Sequence, residues 1–427
     1  MIFGGDARKS GPGGANDGVN SLIVFDPRTL ELTPASETME YARWYPTVLT
    51  LANGEILALG GRNAVKDGSS IPEIWSPTSG FRSLTGAEIQ DFEGDTNDAG
   101  NLNEAWWYPH AFQRSSGEIV VLEAFGRDVY IMTTQGTGTV SQVTTLPFAS
   151  HKMDPSVMYD VDKVLMVDID GGIWSVDLSP SVPTFAQVGQ MTDGRTAGNM
   201  SILADGSVLI TGGTDYDSEF IGQGSFEDDV DSAQLTAIRF NPQTGETLVL
   251  AAEDLARLYH SAAVVLEDGT VISGGGGAPG PLTNLNAQIF SPDIYYNDTG
   301  NLADQPVITS IDQVIQSGTQ ITITVDDTSD IARIGALRVG AVTHSTNSDA
   351  RYVPLTFSVI DSTTITVTIP NANIMIPGHW MMALVDDEGV PSAFSSIGVD
   401  VAANFFDDYE PLPERVIYVL SLLHHLR

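Results

Sequence analysis

One pattern recurs along the first 300 residues and limits what this chain can fold into. An apolar run is followed by a turn with glycine or aspartate, a second apolar run and a closing glycine. It is read in "TVLTLANGEILALGG" (47–61), "HAFQRSSGEIVVLEAFG" (110–126), "SVMYDVDKVLMVDIDGG" (156–172), "MSILADGSVLITGG" (200–213) and "SAAVVLEDGTVISGGGG" (261–277). The opening "MIFGG" matches only the last part of such a unit. The closing glycines fall at Gly5, Gly61, Gly126, Gly172, Gly213 and Gly277, at spacings of 41 to 65 residues. Such spacings suit four-stranded blades with variable loops. Each unit reads as two strands joined by a hairpin, with glycines allowing close backbone packing. One blade cannot bury its own faces, whereas a ring of blades can. A β-propeller is therefore predicted for residues 1–303. Separate β-sandwich domains are the alternative.

Composition changes after "NDTGNLADQPVITSI" (297–311). Period-2 strands follow, such as "TQITITVDD" (319–327) and "TTITVTIPN" (363–371), with turn residues every 8 to 12 positions. This is the signature of an immunoglobulin-like β-sandwich, predicted for 304–403. The tail 404–427 fits neither unit. Its run "VIYVLSLL" is too short to span a membrane, and a short helix, a loosely packed tail or a docking peptide is expected there.

The chain carries 19 Lys and Arg against 55 Asp and Glu, a formal charge of −36. A field of that sign repels nucleic acid and anionic membranes, so no nucleic-acid partner is expected. It suits a solvated acidic surface in a salty outside environment, and acidic loops that collect cations are the sharper reading. With no cysteine in 427 residues, disulfides, zinc-thiolate sites and cysteine nucleophiles are excluded for this chain. No apolar stretch is long enough for a transmembrane helix, so no membrane span is expected. The start lacks the pattern of a signal peptide.

The repeat also sets a register. Tyr45, Tyr108 and His260 each lie nine residues before a turn glycine, respectively Gly54, Gly117 and Gly269. Equivalent positions in propeller blades sit at equivalent radii, so these residues can line one mouth of a central channel. Two phenols and an imidazole, Tyr45, Tyr259 and His260, make an N,O donor set suited to Cu(II), with a second imidazole still wanted. The plainer reading of a Tyr-His pair at a strand start is packing plus one hydrogen bond.

At this point the residues resemble a known family. "ARWYPT" (42–47), "RLYHSAAVVLEDGTVISGGGG" (257–277), "NAQIFSPDIYYNDTGNLADQPVIT" (286–309), "VTHSTNSDARYVPLTF" (342–357) and "PGHWMMALVDDEGVPS" (377–392) are similar to the galactose oxidase and glyoxal oxidase family of copper radical oxidases. The similarity runs from residue 1 to about 402. It implies an all-β protein: a kelch-type seven-bladed β-propeller, its first blade incomplete here, followed by an immunoglobulin-like β-sandwich that sends a loop into the propeller channel. It implies copper (Cu2+) held by Tyr45, Tyr259, His260 and His344. Tyr259 resembles the axial tyrosine that accepts the substrate proton, and Tyr45 the tyrosine oxidised to a radical. The implied substrates are an aldehyde, an alcohol or a carbohydrate together with O2, the product is H2O2, and the location is extracellular or at the cell surface.

Two departures from the family pattern stand out. The family's radical tyrosine carries a thioether to a cysteine, and this chain has none. Six repeat endings are visible where seven blades are implied, so a missing N-terminal segment carrying the cysteine is expected. Secondly, Asn63 of "GGRN" lies where galactose oxidase has a stacking tryptophan. Small aldehydes or primary alcohols are therefore expected over galactose, with Trp44, Trp106 or Trp107 as candidate stacking rings. His379 is read as structural, and Tyr108 and His110 as pocket lining. His151, His424 and His425 have no assigned role, and "DTNDAGN" (95–101) is read as an acidic turn although it resembles a calcium loop. Two functions follow: a copper radical oxidase with weak turnover in this cysteine-free form, or a non-catalytic propeller binding carbohydrate or cell-surface partners.

Overall fold

The computed structural model describes residues 1–6, 18–26, 29–63, 67–93, 105–123, 126–150, 154–215, 232–276 and 284–400. Regular structure there is almost all strand, with short 3-10 turns such as Gln90–Phe92 and Asp293–Tyr295. All five repeat units are antiparallel hairpins, closing at Thr50↔Ile56, Gln113↔Ile119, Asp160↔Lys163, Ile202↔Val208 and Val265↔Val271. In four of them a turn glycine (Gly54, Gly117, Gly206, Gly269) has φ between 80° and 92°, a backbone that glycine adopts without steric cost.

The hairpins extend into blades. His110–Gln113, Ile119–Leu122, Gly126–Thr133 and Thr139–Ser150 form one four-stranded sheet. Thr196–Ile202, Val208–Thr214, Thr236–Asn241 and Glu246–Ala252 form another. Ser156–Asp160, Lys163–Val167, Gly172–Asp177 and Thr184–Gln190 make a third meander, and Ser261–Val265, Val271–Gly275 and Ala287–Phe290 a three-stranded one. At the N-terminal end the long strand Glu31–Thr50 serves two blades. Its first half pairs with Val19–Asp26 and its second half with Ile56–Arg62. Ile2–Phe3 sits at the edge of that sheet, so the first blade has three strands among the described residues. The arrangement is propeller-like.

In four of the five hairpins the second strand has a central apolar run without alternation because both of its faces are covered. Leu57, Ala58 and Leu59, Ile119 to Leu122, Val164 to Met166, and Val208 to Ile210 are all fully buried. Each Val, Leu or Ile so buried contributes about 1.5–3 kcal/mol.

The C-terminal part is a sandwich of the immunoglobulin-like kind. Gln320–Val325 pairs with Thr364–Thr368, and Ile331–Arg338 lies between Thr346–Asp361 and Gly378–Asp386. The strand Thr346–Asp361 also pairs in parallel with the blade strand Ser156–Asp160, at Ser156↔Thr346 and Met158↔Arg351. The chain divides into two compact units, 1–152 with 180–183, and 153–179 with 184–427. The second holds the later blades and the sandwich, with a core that joins Val157, Leu209 and Phe240 to Leu337, Tyr352 and Met381.

Candidate metal centre

The blade register is visible in the backbone. Tyr45, Tyr108, Ala197 and His260 have φ of 65°, 41°, 62° and 64°, the left-handed region that non-glycine residues rarely occupy. All four stand nine residues before a turn glycine. Holding a non-glycine residue there costs about 1–3 kcal/mol and persists only where surrounding structure over-determines it. Ala197 was not expected from the sequence, because alanine carries no ligating group to draw attention to its position.

At three of these positions, Tyr45, Ala197 and His260, a buried arginine stands just ahead in the chain, also missed by the sequence reading. Arg43 donates from Nη1 to Gly60 O at 2.7 Å, Arg195 from Nη1 to Gly212 O at 3.1 Å, and Arg257 from Nη1 to Gly275 O at 2.9 Å. Each ties the residues ahead of an inner strand to the glycine end of its hairpin partner. Arg43 is fully buried and paired with Glu73 at 2.9 Å. Burial pushes its guanidinium below the ordinary arginine range. The sequence signal existed: Arg43 and Arg195 stand eleven residues, and Arg257 twelve, before the turn glycine. The glycines also join successive blades, through Gly5 N–H to Arg43 O, Gly61 N–H to Trp106 O and Gly213 N–H to Arg257 O at 2.7–2.9 Å.

Three of the four predicted ligands lie in the second compact unit and meet there. The ring centroids of Tyr259 and His260 are 3.8 Å apart, those of Tyr259 and His344 5.2 Å, and those of His260 and His344 4.4 Å. The two imidazole planes stand at 88°, edge to face rather than stacked. Tyr259 and His260 are half-buried and His344 is buried. His344 and Ser345 are the two central residues of the hairpin closed by Thr343↔Thr346. Their φ values of 49° and 66° are the positive pair of a type I′ turn, where Asn-Gly is the usual occupant. The Thr343 hydroxyl lies 2.6 Å from His344 Nδ1. A hydrogen bond at one ring nitrogen sets the orientation and tautomer that present the other to a metal.

Tyr45 belongs to the first compact unit. Its ring stacks on Trp44 at 4.0 Å and on Tyr108 at 4.9 Å, and tilts against Trp107 at 4.8 Å. The Tyr108 N–H donates to Tyr45 O at 3.1 Å. Tyr108 and His110 are both buried, and burial lowers the His110 pKa to about 4, so its imidazole is neutral. His379 opens the strand Gly378–Asp386 and is lowered to about 4 by burial and by the Arg338 charge. Asn63 closes a turn, accepting from the Asp67 N–H at 3.1 Å. The segment 95–101, His151, His424, His425 and the tail 404–427 lie outside the described residues. One acidic group went unread in the sequence: Asp91, Glu123 and Asp128 bring carboxylate oxygens within 4.8 Å of one another. Glu123 is buried and its pKa is pushed up to about 7. Among the described residues no helix is long and apolar enough to cross a membrane.

Residues 305–399 match the family model described as "Galactose oxidase-like, Early set domain". Galactose oxidase from Gibberella zeae is 28% identical over 416 residues, which cover 90% of this chain and 58% of that protein. The chain is homologous to galactose oxidase. It spans a little over half the length of that relative. Aldehyde oxidase GLOX from Vitis pseudoreticulata is 26% identical over 400 residues, covering 83% of this chain and 71% of its own. Among solved structures, a novel fungal alcohol oxidase with catalytic diversity among the AA5 family, in complex with copper, superposes with a TM-score of 0.78 at 25% identity. That match covers 93% of this chain and 85% of the other.

Proposed function

We propose that this protein is a copper radical oxidase that oxidises small aldehydes or primary alcohols with O2 and releases H2O2. The observation that carries the reading is the meeting of Tyr259, His260 and His344, one side chain from a strained hairpin turn and two from the start of a blade strand. Two imidazoles at right angles and a phenol are a donor set that suits Cu(II), and Tyr45 would complete it. We place the propeller in 1–303 and the sandwich in 304–403, and the protein outside the cell, in keeping with its charge of −36.

Copper, when bound, supplies a one-electron acceptor and a positive charge that favours an ionised substrate oxygen. Tyr259 takes the hydroxyl proton of the substrate as general base. Tyr45, once oxidised to a phenoxyl radical, would be the second one-electron acceptor and return to the phenol on taking an electron and a proton, since removing two electrons from an alcohol needs two such groups. His260 and His344 act as ligands and take no proton.

The test is copper titration followed by peroxide release from glyoxal-type aldehydes, primary alcohols and galactose. His260→Ala or His344→Ala should each abolish copper binding, while Tyr259→Phe should keep much of the affinity and slow turnover. Retention of tight copper binding by His344→Ala would remove the assignment. The lack of any cysteine, and hence of a thioether on Tyr45, favours a second reading: a non-catalytic propeller that binds carbohydrate or cell-surface partners. Bound copper without peroxide from any substrate would favour that second reading.

A further inference from the structure

His260 is the third residue of a four-residue turn. The Ser261 N–H donates to Leu258 O at 2.9 Å, with Tyr259 and His260 between them. At φ 64° His260 holds a place that glycine usually takes in such a turn. Both rings of the turn are half-buried, so packing alone does not lock them. A strained turn of this kind persists only where its surroundings over-determine it.

Those surroundings include the inner strand of the preceding blade, Thr196–Ile202. Asn199 Nδ2 donates to Ser261 Oγ at 2.9 Å, and both residues are buried. The tie holds in either orientation of the amide, because a hydroxyl can donate or accept. The next residue of the same strand reaches the other imidazole-bearing hairpin. Met200 O accepts from Asn347 Nδ2 at 3.4 Å, three residues beyond His344. Two consecutive residues of one strand thus hold both elements that carry the histidines. Asn199 Oδ1 is buried without a hydrogen-bond partner among the described residues. An apolar side chain would fill that space without leaving an acceptor bare. What the amide adds is its bond to the residue that closes the turn.

We propose that Asn199 is a positioning residue for the metal centre, acting through Ser261 to fix His260 at its distance from His344. This rests on the copper reading of Tyr259, His260 and His344. Ligands already held at their spacing bind an ion more tightly than ligands that must first be ordered. Without Asn199, Ser261 loses its side-chain anchor, the turn gains freedom, and His260 is the ligand that moves. The strand also supplies a control. Ser201, two residues further along, donates from Oγ to Ala263 O at 3.5 Å. That bond joins the same two strands but lies two residues further from His260.

The experiment uses the full chain and Cu(II), and reads affinity by titration, ligand field by electron paramagnetic resonance, and Tm. Asn199→Ala should weaken copper binding about tenfold, within the range seen when partners of metal ligands are removed, and shift the Cu(II) spectrum. Ser261→Ala should do the same from the other side of the bond, and it carries the test if Asn199→Ala fails to fold. The double variant should bind no more weakly than the weaker single one, because both remove one interaction. Asn347→Ala should lose less, its bond being longer. Ser201→Ala, and the core truncation Leu209→Ala in the same blade, should keep the wild-type affinity and spectrum even where Tm falls. Wild-type affinity and spectrum in Asn199→Ala overturn the proposal. So do losses in the two single variants that multiply in the double, or an equal loss in Leu209→Ala, which would mean general loosening. Any of these with copper still bound by the wild type leaves the metal site standing, whereas a wild type that binds no copper sinks both.

Discussion

Glu123 shows at the residue scale how burial converts into a pH response. Its carboxyl accepts from the Arg127 and Asp128 N–H groups at 3.1 and 3.0 Å, yet burial outweighs both bonds and raises its pKa from 4.5 to about 7. The folded protein thus holds this proton more tightly than the unfolded chain. The resulting penalty is absent below pH 4.5, grows between 4.5 and about 7, and is complete above that. Glu123→Gln can still accept both backbone bonds and has no charge to bury. It should be more stable than the wild type above pH 7 by about 1–3 kcal/mol and lose that advantage near pH 4.5, read as the difference in Tm across a pH series. His110 and His379 slope the other way. Both are held neutral with a pKa of about 4 against an ordinary 6.5, so their contribution is intact above 6.5 and is lost as pH falls toward 4. Ser345 carries another residue-scale cost, at φ 66°. Ser345→Gly should raise stability by about 0.5–1 kcal/mol without loss of copper binding. A lowered Tm would mean the turn is not strained there.

At the scale of the element, the glycine end of each hairpin is what lets one blade sit against the next. Gly212 has φ 61°, and a Cβ on it would stand 2.5 Å from Arg257 O. Gly212→Ala therefore meets both left-handed strain and a backbone clash, and should cost about 1–3 kcal/mol or more in chemical denaturation. The same change at Gly300, also at positive φ but with open space around its Cβ, should cost less. The hairpins were legible in the sequence because apolar run, turn and glycine are local signals, and the blade register was legible because Tyr45 and His260 stand at a fixed offset from turn glycines. The arginine brackets were not, since a charged side chain is normally read as surface and only tertiary packing makes Arg43 fully buried. The choice among indoles was equally hidden: sequence offered Trp44, Trp106 and Trp107 as equals, and only the ring distances show Trp44, at 4.0 Å, nearer to Tyr45 than Trp107 at 4.8 Å. The Asp91, Glu123 and Asp128 group adds the distant Asp91 to two carboxylates five residues apart, which no short window of sequence shows together.

For the whole molecule, 36 uncompensated negative charges mean that the native state works against its own field. Stability should therefore rise with ionic strength as the Debye length shortens from about 30 Å near 0.01 M to about 8 Å near 0.15 M. A Tm that is flat over that range would mean that the repulsion is already relieved by ions held on the surface. The parallel pairing of Ser156–Asp160 with Thr346–Asp361 has a further consequence, for biosynthesis. The two strands are separated by about 190 residues of chain. A ribosome adding roughly 5–20 residues per second needs about 10–40 s between them. During that interval the blade strand has left the exit tunnel with one edge still waiting for its neighbour, an edge that other nascent chains could take. Among the described residues the strands of the first compact unit pair only with near neighbours in the chain. Birth of the protein is thus staged, and the second stage is the one that a chaperone has reason to attend.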